Sequence, residues 1–324
     1  TKNCSSTIGY AIGGIAGRGA VKYLTVENTG DITISSNFAA VPTTTTGEGE
    51  TAETKVNYTM HPIFIGGIYG YGSTGANDGM VNSGDITVSG THSYTSGALS
   101  ISGIYCRGSN SDTNVMKNCH NTGAISVSTI QESTSASTEI AGIVTYQIRG
   151  TQQDSTNNGP ITFTGKTGHL QIAGISTDDA AKVKFINCDN LEKGVITVNG
   201  DTGKDKDHYA YVGGILFANE ANITLQDCDN KAAINVTNTN ATKKSFIYVG
   251  GVVSRLTTAL TFTNCTNSGA INLLSAVKYV GGCVGQVSLE GVADISSWTG
   301  LSNSGDITYT KEAPGEVTYI GGVV

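Results

Sequence analysis

Asp189, Asp227 and Asp229 flank Cys188 and Cys228 in two related segments, Asn187-Cys188-Asp189-Asn190 and Asp227-Cys228-Asp229-Asn230. Where two such segments lie side by side as strands, Asp189 and Asp229 project from one face about 5 Å apart. Carboxylates at that spacing suit hydrolysis of a glycosidic bond, or polysaccharide lyase chemistry with calcium. Corresponding positions elsewhere hold Asn264, His120 and Thr266, and no lysine or arginine is expected on that face. The aspartates therefore also read as polar decoration of a turn.

Arg18, Tyr71, Arg107, Tyr146, Asp178 and Arg255 form a second set, each standing four residues after the second glycine of a recurring Gly-Gly or small-Gly pair. Three of the chain's four arginines fall in this one register. A line of guanidinium groups and phenols suits an extended acidic glycan or peptide. A solvated rim where each strand leaves the core would have the same composition. Three residues before the same glycine lie Phe64, Tyr211, Tyr248, Tyr279 and Tyr319. Such rings stabilise neighbouring strands and also stack on sugars.

Other chemical patterns are weak. Gly70-Tyr71-Gly72-Ser73-Thr74-Gly75 has dinucleotide-loop spacing, but no helical pattern follows it. The histidines at 61, 92, 120, 169 and 208 lack metal-ligand spacing, and Lys204 and Lys206 interrupt Asp201, Asp205 and Asp207 as a calcium loop. No metal and no cofactor is implied.

The elements that must position these residues come from a repeat. One motif is apolar-small-Gly-apolar, as in Ile12-Gly13-Gly14-Ile15, Ile101-Ser102-Gly103-Ile104 and Val249-Gly250-Gly251-Val252. Its second glycines, at 14, 67, 103, 142, 174, 214, 251, 282 and 322, are 31 to 53 residues apart. The other motif is Asn-Ser/Thr-Gly-Asp/Ala-Ile, clean at Asn28, Asn82, Asn121, Asn267 and Asn303, with looser copies at Asn158, Asn190 and Asn230. After it the chain alternates as Ile-Thr-Ile or Ile-Ser-Val, apolar inward and polar outward. A variable period of this kind is the mark of a solenoid, because no single repeat can bury its own apolar face. The expected fold is all-β: a right-handed parallel β-helix of roughly nine rungs, each of three short strands. Asn and Gly suit the corners, and stacked asparagines can form an amide ladder within the turn. The segment 35–62 is a long loop inserted between the first and second repeats.

Composition agrees. Forty-three glycines, four prolines and 14% charged residues fit short strands and tight turns better than helices. A net charge of −7 argues against a nucleic-acid partner, and no apolar run is long enough to span a membrane.

In Val249-Gly250-Gly251-Val252 leading to Asn264-Cys265-Thr266-Asn267-Ser268-Gly269, and again in Val280-Gly281-Gly282-Cys283-Val284-Gly285, the chain resembles the GLUG-motif repeat family. The resemblance extends over nearly the whole chain apart from 35–62. It implies a bacterial cell-surface or secreted setting, and a non-catalytic binding or spacer region of an adhesin. Glycans or host-surface ligands are the implied partners, alongside flanking domains of the same chain. A polysaccharide lyase or glycoside hydrolase using Asp189, Asp227 and Asp229 is the enzymatic alternative, and a purely structural stalk is a third.

The chain has seven cysteines, and Cys119, Cys188, Cys228 and Cys265 each lie two residues before the turn asparagine, where Val26, Met80 and Leu301 also occur. That is an inward column, so these thiols are expected to be free and to pack as small hydrophobes. Stacked strands hold parallel Cβ vectors too far apart for a relaxed disulfide. Intact repeats close to Thr1 and Val324 lead to the expectation of a fragment whose solenoid, or a cap, continues further.

Overall fold

The computed structural model describes residues 10–18, 24–35, 38–39, 41–46, 54–59, 62–72, 77–93, 97–107, 111–131, 136–147, 149–179, 183–202, 209–217, 223–239, 246–257, 260–275, 277–288, 297–310 and 319–324. Among them there is no helix, and all inter-turn strand pairing is parallel. The fold is a parallel β-solenoid. Its first wall stacks nine Gly-Gly strands, from Tyr10–Gly13 through Ile63–Gly66 to Tyr319–Gly321. The strands that follow the turn asparagines, from Ile32–Ser35 to Ile307–Tyr309, form another wall. A third wall carries the cysteine column, in strands such as Val183–Asn190 and Ile223–Gln226.

Where three strands per turn are expected, the structure has four. Directly after each Gly-Gly corner a short strand turns back: Ala16–Arg18, Tyr69–Tyr71, Tyr105–Arg107, Val144–Gln147 and Ser176–Asp179 form a five-stranded wall. Single bridges continue it through Leu216, Val253 and Val284. Three-residue strands show little alternation, which hides them in the sequence. In the insertion, Val41–Thr46 pairs antiparallel with Thr54–Thr59, the one antiparallel pair among the described residues.

The turn asparagines form one continuous ladder. Along the series Asn28, Asn82, Asn121, Asn157, Asn190, Asn230, Asn267 and Asn303, each amide but the last donates from Nδ2 to the Oδ1 of the next, at 2.7–2.9 Å. The other Nδ2 hydrogen reaches a carbonyl just ahead on its own turn, as Asn121 does to Gly123 at 3.0 Å. In the fourth turn the ladder uses Asn157, one residue before the expected Asn158, and this shifts Ser155 into the cysteine column.

The second glycine of the first eight pairs, from Gly14 to Gly282, packs on this ladder. A Cβ on Gly142 would stand 2.4 Å from Asn157 Cγ, and one on Gly251 would stand 2.3 Å from Asn267 Cγ. The preceding position is less restricted and holds Ser102, Ala141 and Ala173 in three turns. The Gly–Asn contact crosses the interior and pinches it into two lobes. One lobe is filled from the Gly-Gly and Ile walls, by Ile65, Ile101, Ile140, Val88, Val127 and Phe163 among others. The other is filled from the short and cysteine walls, by Ile104, Ile143, Phe185, Phe262, Cys188 and Cys228 among others.

A second backbone device precedes each ladder asparagine by three residues. Thr25, Gly79, Asn118, Asp154, Asn187, Asp227, Asn264 and Gly300 all adopt positive φ, between 50° and 77°. This left-handed residue bends the strand so that the next side chain, such as Cys119 or Cys265, points into the core. Asparagine and aspartate tolerate the conformation better than other residues with a Cβ.

The six described cysteines are free and buried. Burial pushes the thiols of Cys106, Cys119 and Cys283 from an ordinary 9.0 up to about 12. Because the folded value is raised, the unfolded chain loses its thiol proton first. Their contribution to stability is intact below about pH 9 and fades as pH climbs toward 12.

Two measurements check this account. Replacing Asn157 with Ala orphans Asn121 Nδ2 and Asn190 Oδ1 and should cost about 2–4 kcal/mol in denaturant unfolding. The exposed Ser128→Ala control should stay within about 0.5 kcal/mol; equal losses would remove the ladder's special standing. In Cys119→Ala, the fall of stability between about pH 9 and 12 should be shallower than in the unaltered protein by about 1.4 kcal/mol per pH unit. An unchanged slope would mean that the thiol ionises in the folded state.

Candidate functional site

The Gly-Gly corner is sharp enough to fold the short wall against the outer side of the first wall. A Cβ on Gly70 would lie 2.6 Å from Ile12 N, and the Cys106 thiol donates to the Ile65 carbonyl at 3.1 Å. Outward-facing columns of the two walls therefore meet in an elbow running along the solenoid. Phe64, Ser100, Gln171, Tyr211 and Tyr248 come to it from one wall, and Cys106, Thr145, Thr177, Phe217 and Ser254 from the other.

The arginine register lies at this elbow. Arg18 pairs in register with Tyr71, and Arg107 with Tyr146. Their side chains alternate as a stack, with Arg18 5.5 Å above the Tyr71 ring and Arg107 5.5 Å and 5.3 Å from the Tyr71 and Tyr146 rings. Asp178 follows Tyr146 in backbone register, and its side chain lies outside the described residues. Arg255 belongs to a separate cluster, 5.7 Å and 5.5 Å from the rings of Tyr211 and Tyr248. Its Nη1 donates to the Tyr211 hydroxyl at 2.6 Å. Burial, opposed by Arg255, pushes the Tyr211 phenol up to about 12. The aromatic column continues through Tyr279 to Tyr319, rings 5.5 Å and 5.1 Å apart and nearly parallel. Beside it a cleft of about 370 Å³ opens between Tyr279, Tyr319 and Gln286.

Two features mark the elbow as more than a rim. Among the described residues no carboxylate lies within ion-pair distance of Arg18, Arg107 or Arg255. In addition, Arg107 Nε, Gln171 Oε1, Ser254 Oγ, Arg255 Nε and Gln286 Oε1 are buried with no hydrogen-bond partner. Buried polar atoms are normally paired within the protein, with water or with a ligand. Sequence reasoning placed the arginines in one column but missed the elbow, because the short wall was not foreseen. Glu139 also sits here, accepting from Ser100 Oγ at 2.8 Å and Ser137 Oγ at 3.2 Å, its carboxyl pushed up by burial.

The aspartates occupy the opposite side of the chain path. Asp189 and Asp229 stand on adjacent turns, as their register requires, and the Asp229 amide donates to Asp189 Oδ1 at 3.0 Å. Contrary to expectation, a lysine shares the face: Lys231 Nζ lies 3.5 Å from Asp189 Oδ2. Burial pushes the Asp189 carboxyl up, while the Asp229 amide and Lys231 oppose the shift. Thr266 Oγ1 donates to Asp229 Oδ1 at 2.6 Å. Asp227 is the left-handed residue of its turn and accepts from Gln226 and Asn264 at 3.0 Å and 3.1 Å. All three carboxylates thus serve the stacking of neighbouring turns. Among the described residues no three His, Cys, Asp or Glu side chains gather as a metal site would require.

No protein-family model matches the chain, and no curated protein matches its sequence. One solved structure is similar in outline, a Bacteroides ovatus protein provisionally assigned as an immunoglobulin A1 protease. The alignment covers 94% of this chain and 78% of that one, at 14% identity and a TM-score of 0.38. At that score the likeness carries no argument about activity.

The stack itself is open to measurement. A double-mutant cycle on Arg107→Ala and Tyr146→Leu, followed by denaturant unfolding, should return a coupling of about 0.5–2 kcal/mol. A coupling indistinguishable from zero would mean that the guanidinium merely rests over the ring.

Proposed function

We propose that this chain is a non-catalytic, GLUG-type binding region of a bacterial cell-surface adhesin, and that its elbow takes up an extended acidic glycan. The observation that carries the reading is the alternating Arg18–Tyr71–Arg107–Tyr146 stack, with no carboxylate among the described residues paired to either arginine. A guanidinium held between rings keeps its in-plane N–H groups available for carboxylate or sulfate oxygens. An extended peptide would ordinarily add to a free sheet edge, whereas strands within the stacked walls are paired on both sides. The resemblance of the Gly-Gly and Asn-Cys motifs to surface-protein repeats supports the same setting.

The net charge of −7 opposes long-range attraction of a polyanion. Recognition must therefore be short-ranged, made at the arginines themselves. Immobilised hyaluronan, a β-linked polymer with a carboxylate on alternate sugars, and a neutral glucan provide the test. The protein should be retained on the acidic polymer without releasing reducing ends. Arg18→Ala combined with Arg107→Ala should weaken retention at least tenfold, while Arg149→Ala, off the column and 3.5 Å from Asp112, should not. Release of reducing ends would overturn the reading in favour of an enzyme, and absence of retention would favour a stalk.

A further inference from the structure

The arginines of the elbow are not merely aligned; they are in phase. Arg18 lies on the first turn, Arg107 on the third and Arg255 on the seventh, so every separation is an even number of turns. The second and fourth turns carry Tyr71 and Tyr146 at the same position. With stacked strands about 4.8 Å apart, Arg18 and Arg107 are separated by about 10 Å along the axis. We propose that the column is spaced for a glycan bearing one anionic group on every second sugar. The inference rests on the acidic-glycan reading above and adds the charge period of the ligand.

In an extended β-linked chain a pyranose advances by roughly one rung of a β-solenoid, about 5 Å. A charge on alternate sugars then meets an arginine at each second turn, and the intervening sugar meets a tyrosine. A polymer charged on every sugar would bring half of its carboxylates over Tyr71 and Tyr146. There the negative ring faces are already engaged by Arg18 and Arg107, and a single phenolic O–H stands in place of the several N–H groups of a guanidinium, so the lost hydration of a carboxylate is replaced only in part. Among the described side chains the alternating stack runs from Arg18 through Tyr71 and Arg107 to Tyr146. The run of matched positions therefore spans four turns, which fits a tetrasaccharide carrying two anionic groups.

Size-matched tetrasaccharides separate the possibilities by calorimetry: one with a carboxylate on alternate sugars, one with a carboxylate on every sugar, and one neutral. The alternately charged compound should bind at least tenfold tighter than the other two. Exchanging the column positions, Tyr71→Arg with Arg107→Tyr, places the arginines on neighbouring turns at unchanged composition. That variant should reverse the preference toward the fully charged compound. If the exchange prevents folding, the comparison on the unaltered protein still decides. Equal binding of both acidic tetrasaccharides would overturn the charge period and leave the acidic-glycan reading standing. No binding of either, or tighter binding of an acidic peptide of alternating Glu and Gly, would overturn that reading as well.

Discussion

Each turn of the solenoid buries one asparagine amide at the waist of its cross-section, where every partner of that amide has to be supplied by the protein. The ladder meets this demand with little else. One N–H reaches a carbonyl just ahead in the same turn, and the other reaches the next asparagine. The second glycine of the opposite corner then closes onto the amide plane in eight turns, from Gly14 on Asn28 to Gly282 on Asn303, which is why that position is glycine there. A larger residue there would push the two sides of the turn apart and open both lobes of the core together.

Once the waist is fixed, the rest of the turn is placed by reference to it. The residue three before the asparagine bends left-handed, and the one after it drops into the core. This assigns a structural cause to Asp227 and explains the recurrent Asn-Cys and Asp-Cys pairs without invoking reactive thiols. Asp189 and Asp229 likewise bind neighbouring turns through a backbone amide and a threonine hydroxyl. The elbow differs in kind. Among the described residues its arginines have rings and no carboxylate within ion-pair distance, and its buried polar atoms include several with no partner.

The sequence was legible where a residue repeats at a fixed offset from a corner. The Gly-Gly strands, the Ile-Thr-Ile strands, the inward cysteines and the arginine register all fall in this class. What escaped was set by contacts across the turn. Gly142 and Asn157 touch through the interior, but the corresponding spacing varies from turn to turn, as Gly282 and Asn303 show. The short wall escaped because Ala16–Arg18 and Tyr105–Arg107 are too brief to alternate. With that wall unseen, the arginines formed a line on a surface and not one side of an elbow. Asn157 is obscured by the asparagine beside it, although Gly159 and Ile161 stand two and four residues after Asn157, the offsets found in the clean copies.

The asparagine ladder also has a direction. From Asn28 to Asn303 every amide donates toward the higher-numbered turn, so the side-chain dipoles add head to tail. The series starts on an acceptor and finishes on a donor, which makes its two ends chemically unlike. Anything that extends the ladder beyond Asn303 must present a carbonyl oxygen, and anything that extends it before Asn28 must present an N–H. Growth of such a stack is therefore vectorial: it accepts another turn, or another molecule, in one polarity and rejects the reversed one.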